Sequence, residues 1–230
     1  MAYQYKAASI EGVIQLIAAS YLRHGYYWYV TGHIPDGKPA VAIDAKLLEK
    51  YQIDVSEWER RRRKKAGLAN AHYIRYENWF ILLVSDGHHK MKQPARQGGE
   101  KESIRDARRC PIKLAGYSIS YRKAGVQESG RESARFCAHV RIDAKKYAQL
   151  KAAFEGLATH RTADNLSHEF KILPFARYAP IRRQLLVLAR MVNNKRKPHG
   201  FELVAYSSLG LRRKPVKVYE EEGSDVVVAE

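Results

Sequence analysis

No apolar run in this chain approaches the ~20 residues needed to cross a bilayer. The longest candidate, Val13 to Ala19, is interrupted by Gln15 and followed by Arg23 and His24. The opening residues, Met1 to Lys6, lack the charged stretch, apolar core and small-residue cleavage site of a secretory leader. Cysteine is scarce. Cys110 and Cys137 match no metal-ligand spacing, and so low a content suits a reducing compartment. These absences give the expectation of a cytoplasmic protein. Also missing are the Gly-rich loop of nucleoside triphosphatases, the dinucleotide fingerprint, a paired Cys-x-x-Cys and the Gly-x-Ser-x-Gly elbow.

Acidic residues are also few beside basic ones. Lys and Arg number 41 against 24 Asp and Glu, a formal charge of +17, and such an excess draws polyanions. The charge is segregated. Residues 60–123 hold 17 basic and 5 acidic side chains, residues 180–217 hold 10 and 1, and the rest of the chain is net acidic. Scatter for solubility would not produce two such blocks.

The pattern of apolar residues is that of a folded α+β chain. Ile10, Val13, Ile14, Ile17, Ala18, Tyr21 and Leu22 form a helical stripe between a capping Ser9 and a stopping Gly25. Residues 26–31 are aromatic and β-branched, as strands are. Asp44 and Ser56 are read as caps of two short helices. Residues 71–76 and 79–85 flank Glu77-Asn78, a hairpin spacing, and 112–122 and 134–142 form a second strand pair. In the last of these, alternation predicts Phe136, Ala138, Val140 and Ile142 buried, with Arg135, His139 and Arg141 outward. Helices follow from Asp143, from Thr162 or Asp164, and from Pro180, and 211–219 reads as a basic strand. The expected architecture is one antiparallel sheet of about five strands, with helices segregated to its ends and one face. Residues 1–219 would make a single domain, with 87–109 a mobile loop and 220–230 an acidic, disordered tail.

Four features bear on chemistry. Arg60, Arg61, Arg62, Arg63, Lys64 and Lys65 run consecutively at a helix end, where like charges at i and i+4 repel. Arg suits bidentate phosphate contact, so the run points to nucleic acid rather than to helix stability. A second cation set is Arg182, Arg183, Arg190, Lys195, Arg196 and Lys197 on the last helix, continued by Arg212, Arg213 and Lys214. Third, Tyr26, Tyr27, Trp28, Tyr29, Tyr73, Tyr76, Trp79, Tyr117 and Tyr121 lie in strand-like segments among Arg75, Arg122, Arg135, His139 and Arg141. Rings among cations are how single strands are held, although rings in strands more often serve the core. Fourth, Asp86, His88 and His89 follow an apolar strand and would ligate a divalent metal or act as acid and base in a nuclease, with His139 as a further member. Tyr147 would be the nucleophile of a tyrosine-dependent cut, but the His-hydrophobic-His triplet of such enzymes does not occur in the chain.

The residues therefore predict a protein that grips the phosphate backbone of DNA or RNA, in replication, transposition or RNA processing, without a resident cofactor. A nuclease acting on single strands, with a divalent metal or Tyr147, is the alternative. A basic structural protein of a ribonucleoprotein is a further one.

Overall fold

The computed structural model describes residues 3–92, 104–123 and 135–220. They gather into two compact units. One holds the described residues of Met1–Pro111, Ser120–Ala138 and Val216–Glu230, the other those of Ile112–Ile119 and His139–Pro215.

The first unit is built on a four-stranded antiparallel sheet in the order β2-β3-β1-β4: β1 (Trp28–His33), β2 (Ala71–Tyr76), β3 (Trp79–Val84) and β4 (Arg105–Asp106). Five of the six residues of β3 are buried. Successive side chains of a strand point to opposite faces, so this apolar run is covered on both sides. β2 and β3 turn through Glu77-Asn78, with Glu77 at φ +51°, as the hairpin spacing predicted. Gly32 on β1 stands opposite Phe80, and a Cβ there would lie 2.4 Å from the Phe80 Cζ. The ring occupies the space a side chain would need.

The helices of this unit start where short polar side chains close off free backbone N–H groups. The Ser9 hydroxyl accepts from Gly12 N at α1 (Ile10–Gln15), which runs on through a π-helical turn, Leu16–Tyr21. Ser56 accepts from Glu59 N at α3 (Glu57–Lys65). Asp44 does not cap, contrary to the sequence reading. α2 (Ala40–Lys50) begins after Pro39, and Asp44 is buried within it, accepting from the Tyr73 hydroxyl (2.6 Å) and from Arg75 Nε (2.9 Å). The expected strand over 211–219 shrinks to a bridge between Tyr219 and Ala7, where the returning chain passes Gly12.

The second sheet has three strands in the order β5-β6-β7, from β5 (Ile112–Leu114), β6 (Tyr117–Lys123) and β7 (Phe136–Ile142). The single five-strand sheet is thus replaced by two antiparallel sheets. One cause lies at Ala115-Gly116, both at positive φ, which fold the predicted strand 112–122 into a hairpin. Along β7 the alternation holds for buried Val140 and Ile142 and for exposed Arg135 and Arg141. It fails at Phe136, which is 43 % exposed, and Ala138 is half-buried. Phe136 lies against another ring instead of a core.

The second unit packs α4 (Ala144–Leu157), α5 (Ala163–Ile172) and α6 (Ala179–Arg196). Asp143 and Thr162 cap the first two, and Pro180 stands in the first turn of the third, as predicted. Buried polar groups tie the unit together. Gln184 closes both the N–H and the C=O of Ile142, and Asn193 does the same for Val204. Arg177 donates to the carbonyls of Phe170 and Phe175. Among the described residues, no helix is long and apolar enough to cross a membrane.

Candidate nucleic-acid interface

The six-cation run does not act as one block. A helix turns about 100° per residue, so positions three apart share a face. Arg60 and Arg63 share the face turned to the protein. Arg60 donates from Nη1 to Ala71 O (3.1 Å) and from Nη2 to Ile53 O (2.5 Å), while Arg63 donates to the carbonyl and side-chain oxygens of Gln52. Arg61, Arg62, Lys64 and Lys65 are exposed. Of these, Arg61 meets Glu57 at i,i+4, and Arg62 meets Glu59 while lying 5.4 Å from the ring of Trp58, itself 69 % exposed. The run therefore divides into two bolts and four outward charges.

The second cation set divides in the same way. Arg196 is buried on α6, donating to the carbonyls of Glu202, Ala158 and Arg161, and is withdrawn from any surface. Arg182, Arg183, Arg190 and Lys195 on α6 and Lys197 beyond it are exposed, as are Arg212 and Lys214. Arg213 lies 4.2 Å over the ring of Tyr178 and donates to its hydroxyl.

The aromatic segments yield an unexpected arrangement in the first unit. Backbone bonds set it up: Ala107 N donates to Tyr27 O, and Tyr121 N donates to Ala107 O, aligning three chain segments side by side. On this frame Phe136 stacks on Tyr121 (5.8 Å between centroids) and Tyr121 on Tyr27 (4.8 Å). The Arg108 guanidinium carbon follows, 4.6 Å from the Tyr27 centroid and 5.8 Å from that of Trp28. Lys92 Nζ lies 4.9 Å from Trp28 on its own account. Every ring and cation in this series is half-buried or exposed. The result is a ladder of partly exposed rings, stacked on one another, that runs at one end into cations.

Carboxylates hold that end in shape. Asp106 takes a forked contact from Arg108, with N–O distances of 2.9 and 3.0 Å. Burial alone would raise the Asp106 carboxyl, but the hydrogen bonds and charge of Arg108 outweigh it and hold the group below the usual carboxylate range. Asp86 accepts from the Trp28 indole N–H (2.8 Å) and stands 3.9 Å from Arg108. Lys92 donates to the carbonyls of Ser85 and Gly87. Gly87, at φ +113°, lets the backbone of Gly67 to Ala69 pass close by, since a Cβ there would lie 2.7 Å from Gly67 O.

The residues proposed for cleavage are not drawn together. Asp86 faces Trp28. His88 is exposed and bridges in parallel to Leu68, whereas His89 lies against Tyr51, accepts from Met91 N, and is shifted down by burial. His139 and Tyr147 belong to the other unit, where the Tyr147 hydroxyl donates to Gln184 O. Among the described residues, no group of three or more His, Cys, Asp or Glu is placed to hold a metal ion. Compared with protein-family models, with curated proteins and with solved structures, the chain matches none.

Sequence reasoning had Tyr27, Trp28 and Tyr121 among its rings but missed Arg108, Asp106 and Lys92. Residues 104–109 lie in the stretch whose composition predicts a loop, and it carries no strand signal. The doublet Arg108-Arg109 inside the basic block was the one available pointer.

Proposed function

We infer that the chain binds single-stranded nucleic acid. The observation that carries this reading is the ladder of Phe136, Tyr121 and Tyr27 leading into Arg108, Trp28 and Lys92. Bases of any sequence have a π face, so the exposed end of the ladder at Phe136 accepts a base irrespective of its letter, and the cations at the other end meet the phosphates that follow. A base-paired duplex keeps its bases stacked on each other and cannot use such a surface. Outward cations Arg61, Arg62, Lys64 and Lys65 of α3 supply a second, non-specific grip, and those of α6 a third.

The charge alone would be satisfied by any polyanion. The ladder makes the single strand the better ligand. The test is a binding comparison of oligo-dT, the matching duplex and heparin at fixed salt. Oligo-dT should bind tightest, and should lose its advantage when Tyr27 and Tyr121 are replaced together by Ala. A duplex bound as well as the single strand would remove this reading.

A further inference from the structure

Behind α3 lies a cavity of about 740 Å³, within the range of small-ligand sites. The rings of Tyr3, Tyr21 and Tyr219 line it together with Arg60 and His72, and Asp54 and Glu57 stand exposed among its lining residues. The polar groups here are held in a fixed order. Arg60 has donors only, so its approach to His72 Nε2 (3.4 Å) makes that nitrogen the acceptor, and Nδ1–H then donates to the Tyr3 hydroxyl (3.0 Å). The Tyr3 hydroxyl in turn donates to Tyr73 O and accepts from Tyr73 N. Arg60 also lies 5.9 Å from the ring centroid of Tyr3.

Three ligand classes fit poorly. An isolated phosphate would meet Asp54 and Glu57. An organic cation would meet the fixed charge of Arg60. An apolar ligand would cover the exposed Asp54 and Glu57 carboxylates and take them from water. A flat, neutral ring with hydrogen-bonding edges fits all of them, and a nucleobase lifted from a strand is such a ring. Guanine offers both edges in pairs: O6 and N7 accept toward a guanidinium, while N1–H and N2–H donate to a carboxylate.

We propose that this cavity captures one unstacked guanine, with Arg60 drawing O6 and N7 through its charge and Asp54 accepting from the opposite edge. The ligand class rests on the single-strand reading above, but the cavity is testable apart from it. The full chain is titrated calorimetrically with guanosine, adenosine and cytidine, and with inorganic phosphate as an anion control. Guanosine should bind at least about tenfold more tightly than the other nucleosides, the order of one discriminating hydrogen-bond pair, and phosphate should not compete. Asp54→Asn, at an exposed position, should lower guanosine affinity about tenfold. It should leave oligo-dT binding and the thermal melt unchanged. Equal binding of the nucleosides, displacement by phosphate, or no nucleoside binding overturns the proposal. Guanosine binding by a chain that ignores oligo-dT would instead uphold this site and overturn the single-strand reading.

Discussion

Arg60 places a guanidinium nitrogen 3.4 Å from Nε2 of His72, which makes that nitrogen an acceptor in an imidazole kept neutral first by burial. Burial and the positive charge of Arg60 push the His72 pKa down to about 3. In the unfolded chain the same group titrates at its ordinary value of 6.5. Between those two values the unfolded state binds the extra proton, so stability falls as pH drops through 6.5 toward 3. At pH 5 the loss from this residue is about 2 kcal/mol. Chemical denaturation at pH 7 and pH 5 should show it, and His72→Gln should be flatter over that interval. An identical slope in the variant would assign the acid sensitivity elsewhere.

The ladder rungs should separate from the phosphate grip by their salt response. Phe136→Ala should weaken oligo-dT binding by about 1–3 kcal/mol, the usual range for one stacked base, and Tyr121→Ala, which removes the ring Phe136 rests on, should weaken it too. The slope of log affinity on log salt should hardly move, because no phosphate contact is removed. A flattened slope in either variant would mean that the rings only support nearby cations.

The converse holds on α3. Arg61, Arg62 and Lys64 replaced together by Ala should flatten that slope by about two units, at about 0.7 per contact for single strands. The thermal melt should barely change, since exposed ion pairs such as Arg61 with Glu57 contribute little. Arg60→Ala should do the reverse. It strips donors from two main-chain carbonyls and should lower the melting temperature. If both variants altered only the melt, α3 would be scaffold throughout.

Asp44 is fully buried with Arg75 and Tyr73 as its partners. Removing one member of such a set leaves a charge without compensation, so Asp44→Ala should destabilise the first unit by about 3–5 kcal/mol. Asp44→Ala combined with Arg75→Leu should recover part of the loss. Urea titrations of the two variants decide this, and a single variant as stable as the parent would show that water replaces the carboxylate.

Local chemistry was legible and distant chemistry was not. Ser9, Ser56, Asp143 and Thr162 cap helices because the groups they satisfy lie two or three residues away. Asp44 has the same side chain as Asp143, yet its partners are 29 and 31 residues along the chain, and nothing local marks it as a core carboxylate. Phe136 fits its alternation and still lies outside the core, since the ring it stacks on belongs to β6. In the arginine run, the spacing of Arg60 and Arg63 was a usable sign that two members share a face. Which face they share depends on carbonyls at Ile53 and Ala71 that no periodicity locates.

The position of Trp28 has an optical consequence. The chain has three tryptophans in three settings: Trp79 is buried in β3, Trp58 is exposed on α3, and Trp28 is a rung of the ladder. Indole emission is therefore divided among a shielded, a wetted and a cation-flanked fluorophore. A strand settling onto the ladder and its cations would change the emission of the cation-flanked one while the shielded one kept its colour, so an unlabelled chain would report the arrival of its own ligand.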